Sequence, residues 1–170
     1  MTSKEQVTKA QRQILELLAS YEEVIAALYT TFAKHLPDYK EFWQHLAKEE
    51  VGHAQLLRGL NKFLDRGFLF KDIGRFDIAE IQAKILEVNS LLQVVKSNSI
   101  TAEDAIAIAL KAESGILDGP FYKIVTSDAP EFRIIAKHLS DATERHANDV
   151  SDLFIALHPN SPKAKHHRRK

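Results

Sequence analysis

The sequence contains no cysteine, and this absence excludes several classes of site. A disulfide framework, an iron–sulfur cluster, a thiolate zinc site and a cysteine nucleophile all need the missing thiol. There is also no apolar run long enough to span a membrane, and the N-terminus lacks the apolar stretch of a signal peptide. We therefore expect a cytoplasmic protein that has no membrane partner and no thiol chemistry.

Excess charge of either sign is missing too, because 23 lysines and arginines balance 23 aspartates and glutamates. The balance is uneven along the chain. Five of the basic residues lie among the last eight, so the remainder is acidic, with 18 basic residues against 23 acidic ones. An acidic body argues against a nucleic-acid partner. Residues 160–170 have no core-forming pattern, and we expect a basic, disordered tail there.

Helical periodicity dominates the rest of the chain, which at 170 residues is one domain. Apolar residues recur at steps of three and four, and no alternating pattern predicts a strand. Residues that would cap helices stand at Asp77, at the pair Thr101 and Asp104, and at Asp128. We predict five helices, over about residues 4–36, 37–65, 77–96, 102–126 and 129–157.

The order of these helices predicts the fold class. Two helices, a long connection that contains another helix, and two further helices are typical of a bundle with one long crossover. We therefore predict an all-α protein. Its residues 1–159 would form an antiparallel four-helix bundle, with a fifth helix in the crossover.

An internal repeat relates the two halves of this bundle. The segment 37–54 resembles the segment 130–147, and the strings QHLAKEEVGHA and KHLSDATERHA align without a gap. Tyr29 and Tyr122 each lie eight residues before the first residue of their segment. Two similar helical hairpins would place equivalent residues opposite one another at the centre of the bundle.

Three glutamates lie on apolar helix faces, where an unpaired carboxylate is costly. Glu50 and His53 are three residues apart and therefore share one face. Glu22 and Glu113 are each surrounded by apolar residues at helical spacing, and His146 is the repeat equivalent of His53. A metal ion would offset the cost of burying such side chains. The alternatives are a surface pair of Glu50 with His53, and a core role for His146.

The order of these residues resembles a known ligand pattern. Glu22, Glu50-x-x-His53, Glu113 and His146 are similar, in sequence order, to the ligands of the ferritin-like di-iron carboxylate proteins, closest to their rubrerythrin-like branch. The string LAKEEVGHAQLL resembles that family's second-helix motif, and Tyr29 matches its first-helix pattern. The resemblance covers about residues 8–157.

The resemblance implies a ferritin-like bundle that binds iron, with two ions expected and manganese or zinc as alternatives. Glu50 and Glu113 would bridge the ions, and Glu22, His53 and His146 would be terminal ligands. Tyr29 and Tyr122 would be redox or hydrogen-bonding groups beside them. Such a protein would reduce peroxide or dioxygen, or oxidise iron, with an electron donor that is unknown. It would form a homodimer or a larger homo-oligomer.

The sequence departs from the family pattern in three respects. Thr143 stands where the last helix of family members carries a second bridging glutamate; Glu144 points about 100° away, and Asp149 is a weak substitute. The third helix aligns only with about two inserted residues, near Gly119–Pro120. The rubredoxin-type domain of full rubrerythrins is missing. Loss of the second bridging carboxylate would weaken one iron position most, so a mononuclear or an asymmetric dinuclear site is an alternative to two equivalent irons. A further alternative is a catalytically degenerate bundle that serves metal storage, sensing or assembly.

Overall fold

The computed structural model describes residues 3–75, 77–113, 125–129 and 131–158. Within these ranges the chain is mostly helical, which confirms the all-α class. None of the described helices combines the length and the apolar character needed to cross a membrane. The α-helices are α1 (Ser3–His35), α2 (Lys40–Gly59), α3 (Asn61–Asp65), α4 (Ile78–Ser97), α5 (Ala102–Glu113) and α6 (Phe132–Leu157).

Helices α1 and α2 form a hairpin, joined by the short 3₁₀ turn Pro37–Tyr39. Proline at the first position of this turn has the backbone dihedral angle that a helical turn requires. The chain reverses here, so that Arg58 near the end of α2 reaches back to Glu16 in α1 at 3.0 Å. The single helix that we predicted over residues 37–65 is divided, because α2 ends at Gly59 and α3 begins at Asn61.

Helix α4 packs against α1, and α5 packs against α6. The caps of α4 and α5 form as predicted. The side chain of Asp77 accepts a hydrogen bond from the backbone of Ala79 at 2.8 Å. The Thr101 hydroxyl and the Asp104 carboxylate each accept a hydrogen bond from the backbone N–H of the other residue, at 3.1 and 3.0 Å. These bonds satisfy helix N–H groups that would otherwise have no partner.

One continuous apolar core runs between the helices. Trp43 lies in it, completely buried, and its ring contacts those of Tyr29, Phe32 and Phe42. Such aromatic contacts fix the register of α2 on α1, because large rings interlock in only a few arrangements.

The predicted helix 102–126 is wrong at its C-terminal end. Thr126–Ser127 is a short strand that pairs antiparallel with Phe70–Lys71, although the sequence shows no strand pattern. The buried side chain of Gln11 also holds this region, since it bonds to the backbone N–H and C=O of Phe70 at 3.0 and 2.8 Å. Tertiary pairing of the backbone here overrides the helical pattern.

The start of α6 also differs from the prediction. Asp128 does not cap this helix; its carboxylate pairs with Lys71 at 2.8 Å instead, and α6 begins at Phe132 rather than at residue 129. Tyr122, the Gly119–Pro120 insertion point and the tail 160–170 lie outside the described residues.

Candidate metal centre

The structure buries all five of the predicted metal ligands. None of them is more than 8% exposed. Helices α1, α2, α5 and α6 each contribute at least one, because each side chain lies on the inward stripe of its helix. The five are Glu22, Glu50, His53, Glu113 and His146.

Glu50 is the centre of the cluster. Its Oε2 lies 2.9 Å from Nδ1 of His53, and its Oε1 lies 2.7 Å from Nδ1 of His146. The two imidazole rings are stacked, with centroids 5.2 Å apart. Each of the three side chains offers one ligand atom within 4.8 Å of the others. This buried group of one carboxylate and two imidazoles could hold a metal ion.

Glu22 and Glu113 lie beside this group and line a small cavity. Its volume is about 10 Å³, roughly the space that one water needs. The other residues that line it are Tyr21, Ile25, Glu50, Ala112 and Thr143. The cavity therefore brings carboxylates from three helices, α1, α2 and α5, next to one another.

The proximity of these groups changes their proton affinities. Burial, together with the negative charge of Glu50, raises the pKa of Glu22 well above its ordinary value. Burial alone would raise the pKa of Glu50 as well, but hydrogen bonds with His146 and His53 lower it to about 2. Burial alone would lower the pKa of His146, but its bond with Glu50 and nearby negative charge raise it to about 9. Without a cation, His146 and Glu22 therefore bind protons more tightly than isolated side chains would.

Tyr29 lies at the edge of the cluster, where its hydroxyl donates a hydrogen bond of 2.5 Å to Oε1 of Glu113. Burial and the charge of Glu113 raise the pKa of the Tyr29 hydroxyl well above its ordinary value. Tyr29 is therefore a hydrogen-bonding neighbour of Glu113. A redox role for Tyr29 stays a prediction.

Sequence reasoning missed Glu49 and Arg145. Oε2 of Glu49 lies 2.7 Å from Nε2 of His146, and Oε1 of Glu49 lies 3.0 Å from Nη2 of Arg145. The sequence contains no direct signal for this contact. Glu49 directly precedes Glu50 and Arg145 directly precedes His146, but the two are not equivalent positions of the repeat, and only the packing of α2 against α6 brings them together.

Thr143 lines the cavity, at the position where the family pattern has a glutamate. Its hydroxyl donates a hydrogen bond to the backbone carbonyl of Leu139 at 3.0 Å. Glu144 is exposed, and Asp149 is half-buried and lies outside the lining of the cavity. Neither neighbouring acid therefore replaces the missing carboxylate.

Comparison of the chain with protein-family models, with curated proteins and with solved structures finds no significant match. The resemblance to the ferritin-like proteins therefore rests on the ligand order and the motif in the sequence.

Proposed function

We propose that this chain is a rubrerythrin-like metal-binding protein in which bound iron takes part in peroxide or dioxygen reduction, or in iron oxidation. One observation carries the proposal. Glu50, completely enclosed by the protein, contacts histidines from two helices, in an interior that also contains Glu22 and Glu113. Ionisable side chains that have only a structural role are rarely buried together in such number.

A cation explains why such residues lie together. Moving a charged group from water into the protein interior costs several kcal/mol unless another charge compensates it. In the metal-free cluster, the raised pKa values of His146 and Glu22 show that this interior favours added positive charge, which a divalent ion would supply. Carboxylate oxygens with imidazole nitrogens suit Fe(II), and also Mn(II) and Zn(II). The donor set therefore fits the metal that the resemblance implies.

Each residue of the cluster has a definite part in this proposal. Glu50, His53 and His146 would hold the ion, and Glu22 and Glu113 would add carboxylates from α1 and α5. Tyr29 orients Glu113 through its hydrogen bond. Bound iron would supply the electrons for the reduction of peroxide or dioxygen. In the metal-free cluster, burial and the charge of Glu50 raise the pKa of Glu22, so this carboxyl binds a proton more tightly than an exposed glutamate does.

The packing of the helices supports a ferritin-like four-helix bundle. The hairpin α1–α2 contacts α5 through α1 and contacts α6 through α2, while α4 lies against α1. Two facing hairpins with α4 in the crossover would produce these contacts. Leu86 and Val94 on α4 are 67% and 57% exposed, and in a homodimer this face would be a suitable interface.

Metal analysis of the aerobically purified chain tests the proposal. We expect bound iron, a ligand-to-metal absorption band, and loss of both in Glu50→Gln. Glu41→Gln is the matched control, since Glu41 is exposed on the same helix and should leave the metal in place. A folded wild-type chain that takes up no metal after iron loading would refute the proposal.

Thr143 favours a second candidate, a degenerate bundle that stores or senses metal, or serves assembly, without turnover. A centre that lacks one bridging carboxylate would bind a second iron weakly and would hold its oxidised form less well. Peroxide consumption by the iron-loaded chain with a chemical reductant separates the two. Turnover above that of the Glu50→Gln variant supports the enzyme, and metal binding without turnover supports the second candidate.

A further inference from the structure

The site differs from its expected pattern at one residue, and this residue has a consequence for the number of metal ions. We propose that the chain holds a single metal ion through Glu50, His53 and His146, and that Thr143 sets this number. The inference rests on the proposed function in one respect, namely that the cluster binds metal. It replaces the pair of ions that the resemblance implies with one.

One ligand atom from each of the three side chains lies within 4.8 Å of the other two. Each histidine bonds to a different oxygen of the same carboxylate, at 2.9 and 2.7 Å, and the stacked rings are 5.2 Å apart. Two imidazoles with one carboxylate are the donors of mononuclear non-haem Fe(II) centres, in which the remaining coordination positions are open. An ion bound between these side chains would therefore use both imidazoles, leaving none for a second ion.

Helix α6 supplies no carboxylate to a second ion. The Thr143 hydroxyl is neutral, and it already donates its hydrogen to the carbonyl of Leu139. A second ion would thus depend on Glu22 and Glu113, which come from α1 and α5. Dinuclear carboxylate centres instead take a glutamate from two helices and a Glu-x-x-His pair from each of two others.

The cavity beside Thr143 is large enough for one water-sized molecule but not for a second metal ion together with its coordinating groups. The cavity of about 10 Å³ accommodates about one water-sized molecule, between Thr143 and the glutamates. A threonine is smaller than a glutamate, and replacing it by glutamate would fill this cavity with a carboxylate.

The experiment measures metal stoichiometry in the full chain. The chain is stripped with a chelator, loaded anaerobically with Fe(II) or Co(II), desalted and analysed for metal and protein. The variants are Thr143→Glu, which adds the carboxylate, and Thr143→Val, which removes only the hydroxyl. We expect about one ion per chain for the wild type and for Thr143→Val, and about two for Thr143→Glu.

Each outcome has a distinct meaning. Two ions in the wild type would overturn the inference and leave the proposed function intact, whereas no ion in any variant would overturn the proposed function itself. One ion in both the wild type and a folded Thr143→Glu variant would show that Thr143 does not set the number. If Thr143→Glu fails to fold, electron paramagnetic resonance of the oxidised wild type decides. A single ferric ion gives a signal, and a bridged ferric pair is coupled and silent.

Discussion

His146 and Glu49 are joined by a hydrogen bond of 2.7 Å between Nε2 and Oε2, which connects the buried cluster to a half-buried carboxylate. The second oxygen of Glu49 is held by Arg145 at 3.0 Å. Because Nε2 is engaged in this way, Nδ1 of His146 faces Glu50 and the cluster. A carboxylate in this position fixes the orientation of a metal-binding imidazole and increases its basicity.

We therefore expect Glu49→Ala to lower the metal affinity about 10- to 100-fold, as substitutions of such outer partners do. Glu49→Gln should recover part of the loss, because its amide oxygen can still accept the hydrogen bond from His146. Competition with a chromophoric chelator measures both affinities. Glu41→Ala on the exposed side of the same helix is the control. An unchanged affinity in Glu49→Ala would mean that Glu49 has no part in orienting His146.

Tyr29→Phe should destabilise the metal-free chain, because it removes the hydroxyl that donates to Glu113. Hydrogen bonds to charged groups contribute about 1.5–3 kcal/mol to stability, and we expect a loss in this range in urea-induced unfolding. Tyr39→Phe is the matched control, since Tyr39 is half-buried and remote from the cluster. Equal stability of the two variants would show that the short contact with Glu113 contributes nothing.

Gln11→Leu tests the contact that holds the strand region. The substitution leaves the backbone N–H and C=O of Phe70 without the partners that Gln11 provides. Buried polar groups without partners cost about 1–3 kcal/mol each, so the loss of partners for two groups should lower the free energy of unfolding by on the order of 2–6 kcal/mol. Gln13→Leu changes an exposed residue of the same helix and should have little effect. A small loss in Gln11→Leu would show that water replaces the side chain.

Local signals predicted the parts of the fold that depend on local chemistry. The reciprocal bonds of Thr101 and Asp104 formed as predicted, because a helix N-terminus is satisfied by its own neighbours. The strand at Thr126–Ser127 was not predictable in this way, since its partner lies more than fifty residues away at Phe70–Lys71. The spacing of apolar residues along the chain contains no information about such long-range strand pairing.

In the site, too, some features follow from local sequence and others only from the packing of the helices. Burial of Glu22, Glu50 and Glu113 follows from helical spacing, because an inward stripe places a residue in the core whatever its chemistry. The role of Glu49 does not follow, since helical spacing places it about 100° from Glu50. Only the position of α6 shows that this direction leads to His146 rather than to solvent.

The stability of the metal-free chain should fall as the pH rises above neutrality. The pKa of His146 is raised from its ordinary value of 6.5 to about 9. A raised pKa contributes stability that is complete below about pH 6.5 and is lost as the pH rises through about 9. The raised pKa of Glu22 acts in the same direction. We expect the free energy of unfolding to fall by on the order of 3 kcal/mol across this window.

At acidic pH the stability of the metal-free chain should instead fall as the pH decreases, because the pKa of Glu50 is lowered from 4.5 to about 2. Its contribution is complete above about pH 4.5 and is lost as the pH falls towards 2. Urea-induced unfolding of the metal-free chain at a series of pH values measures the loss of stability at both acidic and alkaline pH, and His146→Gln should remove most of the alkaline loss.

Metal replaces the protons of the cluster, so the affinity of the chain for metal should increase with pH. The stability of the loaded chain should then exceed that of the metal-free chain by an amount that grows from pH 6.5 to 9. Metal-free stability that instead rises through this range would show that His146 is not held as a cation by Glu50.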